Sequence, residues 1–365
     1  MLNYVIQRII WIFVILFATL TITFVLLKIA PEYPPTKVDD KDLWLEKQVN
    51  LGYYTVERLD ATNPDDVAHY EYVMSNNKNI DKTIFGVKPI NNNRVLKIFY
   101  RVPISTQYFK WLGNVFTKWD WGDSTKIRTN TPAFEILVER MPWTLSLNLY
   151  TLLFYMPIGF LFGIIAALKK NTWVDNFMQV TIMIFLSIPG LVFILILMAS
   201  FGYKWNILPA TFPTIGIDPP GRIALGYIIP ILALGLPAIA GLTRMLRAEL
   251  SEVLTSEYVL LAKTKGLSHQ QAVVRHAIRN SLVPMVPIVI GSFASLLGGS
   301  IIVELVYMFP GVGRITLQAM AVGNYDYNVI MVSSAFYGVI GLFTTLIVDL
   351  SYGIIDPQIR MGGKK

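Results

Sequence analysis

Residues 244–280 read RMLRAELSEVLTSEYVLLAKTKGLSHQQAVVRHAIRN, a charged island between two runs without charge, Ile223–Thr243 and Ser281–Val303. Each flanking run can cross a bilayer, since about 20 apolar residues span roughly 30 Å of hydrocarbon. A basic, helix-forming, glycine-hinged loop between two spans suits a docking surface for a soluble partner better than a catalytic site. Within it, Glu257 to Lys265 is expected to form a short helix with Ser256 as its N-cap. Gly266 fits the left-handed position that ends helices. Ser268 and Gln271 have the S-x-x-Q form of a capping box, which starts a second helix through Arg279.

Hydrophobic residues make up 54% of the 365, only 15% are charged, and mean hydropathy is +0.51. Soluble domains carry about 25% charged residues, so a membrane protein is expected. Six uncharged runs have the length of spans: Ile9–Leu27, Met141–Leu168, Asn176–Tyr203, Ile223–Thr243, Asn280–Val303 and Tyr327–Val348. The first is longer than a usual secretory-signal core and no A-x-A cleavage site follows, so it reads as a retained span. The chain has no cysteine, which excludes disulfides, thiolate metal sites and a cysteine nucleophile.

The positive-inside rule places both termini on the cytoplasmic side. That orientation puts twelve basic residues inside, among them Arg8, Lys169, Lys170, Arg244, Arg247, Arg275, Arg279 and Arg360. Only Lys204, Arg222 and Arg314 fall in the short outer loops. The long segment 31–140 has fifteen basic and fifteen acidic residues, so the net charge of +7 comes from elsewhere. Anionic lipid at the inner leaflet accounts for that charge without nucleic acid.

Three domains are expected: an N-terminal transmembrane helix at 1–30, an extracytoplasmic α/β lobe and interfacial segment at 31–140, and a five-helix core at 141–365. The lobe opens on PEYPP at 31–35 and includes short β-prone runs between asparagine and glycine turns over 76–94. Trp111, Trp119 and Trp121, just before the second span, read as an aromatic belt at the bilayer interface. Pro157, Pro189, Pro230, Pro237, Pro284 and Pro287 break the spans, as in a moving polytopic bundle rather than a simple anchor. Gly159 and Gly163 form G-x-x-x-G, a spacing that lets helices approach closely, with ordinary packing as its role.

EYVLLAKTKG at 257–266, with Ala262 four residues before Gly266, resembles the EAA loop of ABC-importer permeases. The continuation RHAIRNSLVP at 275–284 is similar to the form of that loop in the dipeptide, oligopeptide and nickel permease group, of oligopeptide permease B type. The broader family ends the loop I-x-L-P; here Asn280 stands in that region and Pro284 comes later, as in the peptide branch. YVIQRII at 4–10, TPAFEILVERMPWTLSLNL at 131–149, SIPGLVF at 187–193, VELVYMFPGVGR at 303–314 and VDLSYGIIDPQIR at 348–360 extend the likeness over most of the chain. The family's G-D-L-G-x-S element is altered to WDWGDS at 119–124, and residues 31–100 find little counterpart.

The resemblance implies an all-α polytopic fold with six transmembrane helices, the type I importer permease fold, in a bacterial or archaeal plasma membrane. It implies half of an ATP-driven import pathway, with oligopeptides as cargo. A second homologous permease, two ABC ATPases holding ATP and magnesium, and an extracytoplasmic binding protein are the implied partners, alongside membrane lipid. No cofactor is expected in this chain, which has no G-x-x-x-x-G-K-[ST] phosphate loop and is not expected to be an enzyme. Glu257, Tyr258, Ala262, Lys263, Lys265, Gly266 and Leu267 are the implied ATPase-coupling residues, with Ala262 expected to face the ATPase. Glu304, Pro310, Gly311 and Gly313 are implied in gating or in an outer turn.

A carboxylate near a span end, such as Glu304, can also simply reach water. Asp349 is expected to pair with a neighbouring cytoplasmic Arg or Lys. Ser292, Ser295 and Ser300 read as interhelical hydrogen-bonders. His269 and His276 are not expected to bind metal, because no HExxH accompanies them. A nickel or metal-chelate permease stays open as an alternative. An ion-coupled secondary transporter fits less well, because mid-span positions are uncharged. An intramembrane protease would need a serine–histidine or aspartate pair inside the spans, and all three histidines lie outside them.

Overall fold

The computed structural model describes residues 2–29, 38–76, 84–89, 94–321 and 325–355. PEYPP, part of the asparagine-rich stretch, Arg360 and the end of VDLSYGIIDPQIR lie outside these residues. Helix α1 (Leu2–Ile29) is followed by a small lobe: α2 (Val38–Asn50), β1 (Tyr54–Asp60), α3 (Pro64–Asn76), β2 (Ile84–Val87) and β3 (Val95–Arg101). The three strands are antiparallel in the order β1-β3-β2, with Tyr54 opposite Arg101 and Ile84 opposite Tyr100.

The central strand β3 has helices on both faces, and its alternating side chains divide accordingly. Leu96 and Ile98 pack with Tyr70 of α3, while Phe99 packs with Leu45 of α2. Lys97, on the α2 face, donates to Asp42 at 2.8 Å and lies 3.0 Å from Glu46.

The helical part continues with α4 (Ile104–Lys118), α5 (Ala133–Leu168), α6 (Trp173–Ser187), and α7 (Gly190–Leu197) extended by a π turn over Met198–Lys204. After α8 (Pro220–Leu225) come α9 (Ile228–Leu254), α10 (Glu257–Thr264) and α11 (His269–Ala272). A π stretch, Val273–Ile278, joins α11 to α12 (Arg279–Leu282); α13 (Met285–Val306), α14 (Val312–Ala319) and α15 (Tyr327–Ile355) are the last of the described elements.

Among the described residues, five helices are long and apolar enough to cross a membrane, and the pair α6–α7 makes a sixth if it counts as one span. That pair is bent by 100°, so the third run of the sequence is broken rather than straight. The cause is local. Pro189 supplies no N–H and disfavours helical geometry in the residue before it. Ile188 accordingly sits extended at φ −84°, ψ 120°.

Helices α5 and α9 pack closely where small residues permit it. A β-carbon on Gly159 would come within 2.8 Å of Leu242, and one on Gly163 within 2.8 Å of Leu246. The G-x-x-x-G spacing thus serves packing inside the chain.

Trp111 and Trp121 do not form an interfacial belt. Both are buried in one core cluster with Phe24 of α1, Val312 of α14 and Met331 of α15. Helix α4 turns its Gln107–Trp111–Val115 face inward, and Trp119 stays exposed.

Candidate functional site

At one end of the bundle lies the helix–glycine–helix loop. Helix α10 ends in a Schellman motif: Leu267 N donates to Ala262 O at 3.3 Å and Gly266 N to Lys263 O at 3.0 Å. Gly266 adopts φ +92°, where a β-carbon would meet nothing within 4 Å. Glycine is therefore needed here for its backbone angle, not for room. Ser268 and Gln271 form the expected capping box, at 3.1 and 3.3 Å. Ser256 is not a side-chain cap, because its hydroxyl donates back to Val253 O at 2.5 Å.

The two faces of α10 differ. Tyr258, Leu260 and Leu261 are exposed, at 43%, 63% and 54%, and Glu257, Lys263 and Lys265 are exposed beside them. Val259 and Ala262 turn inward against Leu250 of α9, Ala167 of α5 and Ala277. Ala262 therefore packs on its own chain instead of facing outward, since the hydrogen-bonded turn at Gly266 folds the next helix over it. Leu267 is half-buried.

Behind the loop, Asp175 of α6 takes a bidentate pair from Arg247 of α9, at 2.6 and 2.7 Å. The carboxylate is 1% exposed and also accepts from Asn171 N at 2.9 Å. Sequence reading missed this pair, because its partners are 72 positions apart and nothing local marks them. At the same end Arg8 pairs with Asp349 at 3.1 Å, the partner type expected for that carboxylate.

The opposite, lobe-bearing end is built around two buried carboxylates. Glu304, fully buried at the end of α13, accepts from Thr144 Oγ1 (2.9 Å) and Ser300 Oγ (3.1 Å) with one oxygen. Its other oxygen accepts from Gly313 N (2.7 Å) and Arg314 N (3.3 Å), the start of α14. Thr144 in turn accepts from Val312 N at 2.8 Å. The carboxylate therefore does not reach water; it joins α13, α5 and the amino end of α14, where an anion is favoured.

The PG-x-G turn leaves space for this arrangement. A β-carbon on Gly311 would lie 2.3 Å from Glu304 Oε2, and one on Gly313 would lie 2.9 Å from it. Pro310 is buried beside them. Ser300 acts across helices as expected, and Ser292 does so with the Tyr155 hydroxyl.

The second carboxylate, Asp326, was not anticipated. It is fully buried before α15 and accepts from Ser124 Oγ (2.6 Å) and from the amides of Thr125, Lys126 and Ile127 (2.9–3.0 Å). It thereby fastens the end of WDWGDS to α15. The lobe is clasped nearby: Lys28 Nζ lies 3.2 Å from the Tyr53 ring centre and 4.7 Å from that of Tyr327, and Arg101 donates to Lys28 O. A cavity of about 240 Å³ opens at this junction, between Tyr53, Gln107, Gly122 and Asn328. Among the described residues, no three His, Asp or Glu side chains are grouped to hold a metal ion.

Residues 159–361 match the family described as the inner membrane component of binding-protein-dependent transport systems. The dipeptide transport system permease protein DppB of Lactococcus lactis is 32% identical over 259 residues, covering 71% of this chain and 82% of that one. The oligopeptide transport system permease protein AppB of Bacillus subtilis is 32% identical over 269 residues, covering 71% and 81%. Among solved structures, the MetNI methionine ABC transporter aligns at 17% identity over 61% of this chain and 97% of that one, with a TM-score of 0.47. Both the helix–glycine–helix loop and the Glu304 turn fall inside the matched residues. The chain belongs to the binding-protein-dependent transport inner membrane component family, and is a multi-pass transport subunit of the inner membrane of a bacterial ABC system.

Proposed function

We propose that the chain is the permease B subunit of an ATP-driven oligopeptide importer and forms half of its translocation pathway. The peptide assignment is supported by the relatives, which are named as dipeptide and oligopeptide permeases. A second homologous permease supplies the other half, two ABC ATPases hold ATP and magnesium, and an extracytoplasmic binding protein delivers the peptide. The 244–280 end and both termini face the cytoplasm, and the lobe faces the incoming substrate.

The observation that carries this reading is the exposed face of α10. Three large apolar side chains stand on a short helix locked at its carboxyl end by a Schellman turn. Exposed apolar groups on a rigid element mark a protein contact. In this reading Tyr258, Leu260 and Leu261 enter the ATPase surface, Glu257, Lys263 and Lys265 line the rim, and Gly266 and Leu267 hold the shape. Ala262 sets the distance between α10 and the helix folded over it. Glu304, Pro310, Gly311 and Gly313 form the outer turn that closes the pathway.

Reconstitution tests the assignment. The purified chain alone is expected to show no ATP hydrolysis and, with its partners in liposomes, to import a labelled tripeptide in an ATP-dependent way. Robust hydrolysis by the chain alone, or peptide import without ATPase subunits, contradicts it.

A further inference from the structure

Beside the Glu304 and Asp326 networks, the lobe-bearing end holds two arginine side chains that those networks leave without a counter-ion. Arg140 lies on α5 one turn before Thr144, and Arg314 lies two residues after Val312. The Thr144–Val312 bond of 2.8 Å therefore brings the two arginine-bearing segments side by side. Both arginines are half-buried.

Neither pairs with a carboxylate among the described residues. Arg314 Nη1 donates to Met308 O at 2.7 Å, and Arg140 Nε is buried without a hydrogen-bond partner. The adjacent Glu139 is already taken by Arg128 at 2.8 Å, and both Glu304 oxygens are engaged by other donors. Burial, together with the nearby Arg140 charge, holds the Arg314 pKa below the usual arginine range. Two partly desolvated cations that repel each other are costly to keep without an anion.

We propose that Arg140 and Arg314 form an anion site at the lobe-bearing end of the bundle, which receives the carboxylate of an incoming peptide. The guanidinium forks match a carboxylate's two oxygens. A bound carboxylate supplies the missing counter-charge and satisfies the buried Nε. The substrate class rests on the peptide reading above; the anion site itself does not.

The complete importer, with one fixed binding protein, tests this in proteoliposomes using a tripeptide and its C-terminal amide. Arg140→Gln and Arg314→Gln are expected to raise KM for the free acid about tenfold, the scale of a lost charge-assisted hydrogen bond. KM for the amide should stay within about twofold, and Arg140→Lys should retain most of the preference for the acid. Equal losses for acid and amide in an assembled complex, or an unchanged preference, overturn the proposal.

A deficit that appears only in vesicles with phosphatidylglycerol, and equally for both peptides, assigns the pair to lipid headgroups and also overturns it. If the wild-type importer moves neither peptide, the cargo reading fails separately. The anion site is then read from thermal unfolding of the complex in acetate against chloride at equal ionic strength. A stabilisation by acetate that is lost in Arg140→Gln supports it, and no difference refutes it.

Discussion

Gly266 and Gly311 look alike in the sequence, each ending a helix-breaking turn, yet they answer to different physics at opposite ends of the molecule. Gly266 has open space around it and is required by its φ of +92°. Gly311 is extended, at φ −98° and ψ −179°, and is required because Glu304 Oε2 occupies the volume of a β-carbon. The loop end is shaped by bonds between residues three to five apart in sequence: the Schellman turn and the capping box. The lobe end is held by carboxylates that, besides near neighbours, bind Thr144 from 160 residues away and Ser124 to Ile127 from about 200. The turn at Gly266 is locally self-sufficient, although the end that carries it is also tied by Arg247 to Asp175, 72 positions away. The end that closes the bundle depends on long-range assembly.

Substitution should break this contrast most clearly at Glu304. Glu304→Ala takes the acceptor from the Thr144 hydroxyl and two amides and leaves Ser300 only the Leu297 carbonyl, and removing one partner of such a buried network costs about 3–5 kcal/mol. Thermal unfolding in detergent should show the loss, together with greater hydrogen exchange in α14. A variant as stable as wild type would mean that water replaces the carboxylate.

Gly311→Ala should follow, at about 1–3 kcal/mol, because the added methyl group overpacks the same node. Gly266→Ala should cost only about 1 kcal/mol, the strain of a left-handed residue with a side chain. Equal effects at the two glycines would erase the distinction between space and backbone angle. Unfolding curves of the two alanine variants provide the measurement.

Function should invert that order. Gly266→Pro removes the amide bonded to Lys263 O and forbids the observed φ, so the α10 turn cannot form. Peptide import by the assembled complex is expected to fall more than tenfold, with membrane insertion and bundle stability nearly unchanged. Normal uptake in this variant would show that the turn is not part of coupling.

The smallest effect is expected in the lobe. Burial tends to raise the Glu46 pKa, but hydrogen bonds from Lys97 and Arg58 outweigh it and the net shift is downward. Its contribution is thus present above the ordinary value of 4.5 and fades as pH falls through the lowered folded value. Burial tends to lower the Lys97 pKa, while bonds to Asp42 and Glu46 carry it above 10.5; that contribution is present at neutral pH and is lost in strong alkali. The protection factors of β3 amides, which compare exchange with the intrinsic rate at each pH, should therefore fall as pH drops below 4.5 and stay flat between about pH 6 and 9. A flat profile through acid would show that the clasp on α2 adds nothing.

Much of the architecture is readable in the sequence, for reasons that differ by element. Length and lack of charge suffice to mark spans, because the bilayer sets a minimum run. The α10 turn and the capping box were readable because their partners lie within five residues of each other. Pro189 announced a break in the third run, but not a bend of 100°. The tryptophans misled, because an aromatic cluster beside a span suits a lipid boundary as well as a core. Only the packing of α1, α5, α14 and α15 around them buries Trp111 and Trp121.

The candidate site divides in the same way. Gly266, Leu267 and the exposed residues of α10 could be placed from the sequence, whereas the inward turn of Ala262 could not. Asp175, Arg247 and Asp326 carried no readable signal, since a single carboxylate says nothing about a donor 72 or 200 positions away.

By itself, then, the sequence determined how many apolar runs could span a membrane, where the chain turns at Gly266 and Ser268, and which family the motifs resemble. Those features rest on composition, span length and hydrogen bonds between near neighbours. Tertiary structure alone decided that Glu304 and Asp326 are buried fasteners, that Gly311 leaves room for a carboxylate, and that Arg140 stands beside Arg314. A buried charge takes its meaning from the groups that replace its water, and in this fold those groups come from distant parts of the chain.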